Sequence, residues 1–333
     1  MKKVTDFKPR KQQLKFTSSN KYTPIFGKVW LPEDDKNPKG ILQIAHGMAE
    51  YIDRYDDFAS YLAKNGWVVV GNDMMGHGKS VYSEDDYGYF SIPIKGLSKE
   101  KDNVNNSSAY VVKDLHHITM AMKKRYPDKP YILLGHSMGS FMVRRYLMEY
   151  GGDLEGIIIM GTGDIENTAV KAAKIVVETM KLTYGERHRS NLIYKLLYDK
   201  KFNERIENPI SGNAWISTDD EVVKAYDEDK LCGFKFTLNG FEAILRTLEF
   251  INNQDNKNRI PKDSNILFVS GGEDPLGDYG NGVNKISAEY KDLGIEDIKT
   301  VIYEGMRHEI LNEIGKEKVY EDILNWLNKR TDN

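Results

Sequence analysis

Six short apolar runs constrain this chain more than any other feature: "GILQIAHG" (40–47), "WVVVGND" (67–73), "YILLGH" (131–136), "EGIIIMGT" (155–162), "NILFVSGG" (265–272) and "IKTVIYEG" (298–305). They are rich in Ile, Val and Leu, apolar throughout rather than alternating, and most stop at Gly or Asp, the pattern of strands buried on both faces. Helical periodicity lies between or after them, at about 54–65, 108–126, 138–150, 281–293 and 315–329. Upstream, "QLKFTS" (13–18) and "IFGKVWLP" (25–32) read as an antiparallel pair on the sheet edge. The sum is an α/β fold, a mostly parallel eight-stranded sheet with right-handed crossovers and helices on both faces. In such open sheets the chemistry sits outside the carboxyl ends of the strands.

The alternation breaks between about Gly163 and Ile251, where "AVKAAKIVVETM", "NLIYKLLYDKKFNERI" and "GFEAILRTLEFI" are helical and no clear strand occurs. The expected organisation is a core of 1–162 and 251–333, with 163–250 inserted as a mainly helical cap over the active edge. With 333 residues the chain has ample length for one large core.

A formal charge of −3 gives no reason to expect nucleic acid. The N-terminus is locally basic, with Lys2, Lys3, Lys8, Arg10, Lys11 and Lys15 against Asp6. Lacking an apolar face, it is expected to be a solvated tail, with transient contact to an anionic membrane surface as the alternative. No apolar segment follows Met1 and no run approaches transmembrane length, so a cytoplasmic protein is expected. Cys232 is alone, which rules out an internal disulfide and suits a reducing compartment.

The run "YILLGHSMGSFMVRRYL" begins as a strand and ends as a helix, with Ser137 at the joint between glycines at plus and minus two. A G-x-S-x-G match alone is weak, since roughly one chain in eight of this composition would show it by accident. Its position between strand and helix sharpens it. A sharp turn there strains the serine, projects its hydroxyl clear of the sheet and aims the next amide, that of Met138, at a developing oxyanion.

A serine nucleophile needs a base. Of seven histidines, His136 adjoins the serine but is expected to point away, His116 and His117 to face solvent on a charged helix, and His188 to sit in a basic patch. His46 and His77 lie in Gly-rich loops, the latter in "DMMGHGKS", which turns the chain beneath the pocket and lacks phosphate-loop spacing. His308, in "YEGMRHEILNE" just past the last strand, is therefore the expected base. "LFVSGGEDPLGDYG" offers Glu273, Asp274 and Asp278 as the carboxylate that fixes the base's tautomer; Asp274 is preferred because Pro275 stiffens the chain after it, with Asp278 in reserve. A second oxyanion amide is expected from Met48, after the His46-Gly47 turn.

These elements together resemble α/β-hydrolases of the monoacylglycerol lipase and lysophospholipase type, grouped with serine aminopeptidase-like hydrolases. The resemblance covers roughly residues 20–330 and rests on "HGMAEYIDRY" (an HG-x-x-E-x-x-x-RY pattern through Glu50, Arg54 and Tyr55), "DMMGHGKS", "GHSMGS", "GGEDP" and "GMRHEILNE". It implies Ser137 as nucleophile, Asp274 and His308 completing the triad, and the Met48 and Met138 amides as the oxyanion hole. Similar proteins carry a smaller pair where this chain has Met48-Ala49, and "DPLGDYG" looks like a bacterial branch.

The expected activity is hydrolysis of a small-molecule acyl ester of lipid type through an acyl-enzyme, with no metal or organic cofactor. Ile175, Val176, Met180, Leu192, Leu196, Trp215, Phe234 and Phe236 are candidates for lining an acyl pocket. Two alternatives are an aminopeptidase of the proline iminopeptidase type, for which the acids of "STDDEVVKAYDEDK" would hold the substrate ammonium, and a catalytically silent binding protein on the same scaffold.

Overall fold

The computed structural model describes residues 7–90, 107–198 and 200–331. Eight strands form one sheet: β1 (Arg10–Thr17), β2 (Pro24–Leu31), β3 (Ile41–Ala45), β4 (Val68–Asn72), β5 (Tyr131–His136), β6 (Gly156–Met160), β7 (Ile266–Gly271) and β8 (Ile298–Tyr303). Their order is β1-β2-β4-β3-β5-β6-β7-β8. β2 pairs antiparallel with β1 and with β4, and along the sheet from β4 to β8 every pair is parallel, as the continuous apolar runs require.

The helices are α1 (Asp56–Lys64), α2 (Ser107–Arg125), α3 (Met138–Tyr150), α4 (Asn167–Tyr184), α5 (Asn191–Tyr198), α6 (Asp220–Glu228), α7 (Leu238–Asn252), α8 (Gln254–Lys257), α9 (Asn281–Asp292) and α10 (Lys316–Asn328). One face of the sheet is packed by Val112, Leu115, Phe141, Val143, Tyr146 and Tyr290, from α2, α3 and α9; the other by Phe58, Leu62, Val319, Ile323 and Leu327, from α1 and α10. Burying such side chains on both faces is the main stabilising term of a layered α/β domain. Between β6 and β7 the described residues contain helices and turns and no strand.

The basic N-terminal stretch differs from the expectation. Lys2 and Lys3 lie outside the described residues, but from Arg10 onward the stretch is strand β1 rather than a tail. Arg10 pairs with Asp35 and Lys11 with Asp56, while Lys15 lies over the Phe26 ring. Alternation of Leu14 and Phe16 with polar neighbours makes a half-covered edge strand, and its antiparallel pairing with β2 is the one expected for 13–18 and 25–32. Among the described residues no helix is long and apolar enough to cross a membrane.

Candidate active site

Ser137 stands between β5 and α3 with φ 54° and ψ −120°, a conformation strained for any residue but glycine. Two glycines make the turn sterically feasible. A Cβ on Gly135 would lie 2.4 Å from the Gly139 oxygen, and one on Gly139 would lie 2.2 Å from the Ala45 oxygen at the end of β3. The elbow is held on its other side by the Ser137 N–H, which donates to the Met160 oxygen at 3.0 Å.

Asp274 follows β7, and His308 follows β8, on the same edge of the sheet. Both are buried, and His308 Nδ1–H donates to Asp274 Oδ2 at 2.8 Å. Burial pushes the Asp274 carboxyl up, but the charge His308 would carry when protonated, its hydrogen bond and the Leu276 N–H outweigh it and hold the group below the ordinary carboxylate range. An ionised carboxylate only accepts, so Nδ1 keeps its proton and the Nε2 lone pair is available. Nε2 is buried and has no hydrogen-bond partner among the described residues. Glu273 and Asp278 are exposed and neither bonds to His308.

Ser137, His308, Met48 and Met138 line one cavity of about 780 Å³, between the strand ends and the helical segment. Its apolar wall comes from Phe141, Ile165, Phe241, Ile244, Leu245 and Leu248; Asp164, Glu204, Asp278 and Lys285 make part of it polar. Of the apolar candidates in the insertion, Trp215 and Phe234 line the cavity, whereas Phe236 is buried in the core and Met180 packs partly against it. Ile175, Val176 and Leu192 are exposed, and Leu196 falls outside the described side chains. Asp219, Asp220 and Glu221 cap or begin α6 and are absent from the cavity wall.

His136 is where the sequence reading failed. Its ring does not point away; it packs against His308 with centroids 4.7 Å apart. Nδ1 lies 3.2 Å from Glu50 Oε1 and Nε2 lies 3.3 Å from the His308 carbonyl. Burial pushes this imidazole down, but the Glu50 carboxylate more than offsets burial, so the net shift is upward. Glu50 also accepts from Tyr55 Oη at 2.8 Å and from Arg54 at 2.8 Å, while Arg54 reaches on to Glu309. The Glu50, Arg54 and Tyr55 pattern was visible in the sequence; its partner Glu309 was not. His116 also differs, being half-buried and stacked on Tyr150 with centroids 4.0 Å apart, whereas His117 is exposed beside Phe16.

His46 and His77 are both buried. His46 Nε2 accepts from the Met74 N–H at 2.8 Å, so its proton sits on Nδ1 and is donated to the Gly47 oxygen at 2.8 Å. In a trans peptide the N–H points opposite to the C=O, so this bond fixes the direction of the Met48 amide. Among the described residues no group of three or more His, Cys, Asp or Glu side chains is placed to hold a metal.

A strained serine at a strand-to-helix elbow, a buried Asp–His pair and an eight-stranded sheet in this order define the α/β-hydrolase class. Residues 36–315 match the family model described as "Serine aminopeptidase, S33", and the chain belongs to that family. It is 25% identical over 302 residues to a monoacylglycerol lipase of Mycolicibacterium smegmatis, covering 90% of this chain and 91% of that one. It is 32% identical over 320 residues to a monoglyceride lipase homolog of Monkeypox virus, covering 95% and 97%. Among solved structures, a thermostable carboxyl esterase from Bacillus coagulans in complex with glycerol superposes with a TM-score of 0.82 at 28% identity, covering 96% of this chain and 99% of that one.

Proposed function

We propose that this carboxylic ester hydrolase cleaves lipid-type acyl esters, monoacylglycerols or lysophospholipids, through an acyl-enzyme on Ser137. The observation that carries the reading is the buried Asp274–His308 pair, whose Nε2 has no partner among the described residues and belongs to the cavity that Ser137 lines. His308 Nε2 takes the Ser137 proton as Oγ bonds to the ester carbonyl carbon; the oxyanion is held by the Met48 and Met138 N–H groups. Collapse breaks the bond to the leaving alcohol, which receives the proton from His308, and a water repeats the sequence to release the acid. Asp274 keeps the imidazole in the working tautomer and stabilises the imidazolium.

The apolar wall of Phe141, Phe241, Ile244, Leu245 and Leu248 would take the acyl chain, and the polar part near Asp164, Asp278 and Lys285 the head group. Residues 163–250 act as a cap over this cavity. The relatives named as monoacylglycerol and monoglyceride lipases support the choice of substrate. The test is a side-by-side assay of p-nitrophenyl esters of increasing chain length, a monoacylglycerol, a lysophospholipid and a proline anilide. Turnover of the lipid esters with little of the anilide is expected. A clear preference for the anilide would move the assignment to an aminopeptidase.

A further inference from the structure

We infer that Tyr226, in the helical insertion, is a positioning residue for the oxyanion loop 47–50, acting through the Ala49 carbonyl. This rests on the proposed role of the Met48 amide.

Ala49 has φ 53°, the left-handed region that glycine tolerates and alanine resists. Something must hold it there, and bonds on both sides do. On the core side the Gly47 oxygen accepts from His46 Nδ1–H and the Gly47 N–H donates to Glu50. On the insertion side the Ala49 oxygen accepts twice, from Tyr226 Oη at 3.1 Å and from the Gly233 N–H at 2.9 Å. The peptide planes on either side of the Met48–Ala49 bond are thus tied down, one by the core and one by the insertion.

The same stretch of the insertion braces the other half of the site. The Tyr226 ring lies under the Arg54 guanidinium at 4.9 Å, and Arg54 grips Glu309, the neighbour of His308. The Glu309 N–H donates to the Ile216 oxygen at 2.7 Å, and the Arg307 guanidinium donates to the Ala214 and Ser217 oxygens at 2.8 Å each. Residues 214–233 are therefore a strut between the oxyanion loop and the loop of the base. Tyr226 joins the two, since its hydroxyl meets Ala49 and its ring meets Arg54, which in turn holds Glu309.

The test is a double-variant cycle on a soluble p-nitrophenyl ester. Tyr226→Phe removes the hydroxyl and keeps the ring beneath Arg54. It is expected to lower kcat about tenfold or more, with KM held within about twofold, because a misaimed oxyanion donor acts on the transition state. Ala49→Gly removes the strain of a Cβ at positive φ, so taking the Tyr226 hydroxyl from that variant is expected to cost less than about threefold. A hydroxyl that costs nothing in either background, or the same factor in both, overturns the inference. Should Tyr226→Phe fail to fold, Ala49→Val loads the strained position while leaving Tyr226 in place; it is expected to lose kcat with KM held, and an unchanged kcat again overturns the role. In the same assay, Ser137→Ala must abolish hydrolysis. If it does not, or wild type hydrolyses no ester, the catalytic reading itself falls; if hydrolysis needs the serine but ignores Tyr226, only the positioning role falls.

Discussion

Arg54 and Glu309, 255 positions apart, meet as a two-pronged ion pair with both N–H···O distances at 2.6 Å. Arg54 also holds Glu50, and Glu50 faces the imidazole of His136, so two buried carboxylates share a guanidinium and an imidazole behind His308. Glu309 sits directly after His308, and the pair therefore anchors the loop that carries the proposed base. Paired this way the charges satisfy one another; a cluster missing one cation does not.

Arg54→Met should therefore destabilise the protein by about 3–5 kcal/mol, because Glu50 and Glu309 are left buried with too little positive charge. Arg54→Lys should recover part of that loss, since it restores charge without the two-pronged geometry. Urea denaturation of the three proteins at pH 7 reads the order wild type, Lys, Met. An Arg54→Met variant as stable as wild type would mean the cluster does not hold the loop.

The elbow glycines predict a contrast. Gly139→Ala would place a methyl 2.2 Å from the Ala45 oxygen and 2.5 Å from the His46 oxygen, both backbone atoms that cannot swing aside. A loss of about 1–3 kcal/mol or more is expected, with activity lost as the serine turn shifts. Gly152→Ala meets nothing within 4 Å and should leave stability and rate unchanged. Thermal denaturation and esterase rates of the two variants check this directly.

Asp274→Asn keeps the size of the side chain but removes the charge that fixes Nδ1–H on His308. Its kcat should fall on the order of 10⁴-fold, the scale of the same substitution in serine-protease triads. KM should change little, since Asp274 touches His308 rather than substrate. Steady-state kinetics, with circular dichroism to confirm the fold, distinguishes this from collapse.

His77 should make the protein sensitive to mild acid. Buried among Phe90, Phe234 and Phe236, beside His46, its imidazole is pushed down from 6.5 to about 3, first by burial and then by the charge His46 would carry. The unfolded chain binds a proton that the folded protein refuses. Stability is thus full above about pH 6.5 and lost as pH falls toward 3, by up to about 1.4 kcal/mol per unit. His77→Phe should flatten that slope. Urea denaturation at pH 6 and pH 5, above the range where unfolded carboxyl groups titrate, measures it; equal slopes in both proteins would contradict the prediction.

Much of the architecture could be read from the chain because its cues are local. Continuous apolar runs mark strands buried on both faces, and Ser137, Asp274 and His308 each follow one of them, so topology alone brings them to one edge. The edge strand β1 is legible from Gln13 onward through the alternation of Leu14 and Phe16, but its start at Arg10 is not, because Arg10 and Lys11 read as part of a charged tail. What stayed illegible depends on partners distant in sequence. His136 takes the face of Ile132 and Leu134 by strand alternation, but its partners Glu50 and Tyr55 lie far off in sequence, and Glu309 acquires meaning only through Arg54. In the insertion, helical periodicity indicates an apolar face but not what covers it. Trp215 and Phe234 therefore line the cavity, while Ile175 and Leu192, equally apolar, are exposed.

The most direct measurement is covalent capture: treat wild type and Ser137→Ala with a fluorophosphonate, weigh the intact proteins and map the modified peptide. The account predicts one adduct per wild-type chain, on the peptide carrying position 137, and none on the variant. Equal labelling of the two proteins, or an adduct on a different residue of wild type, would contradict it.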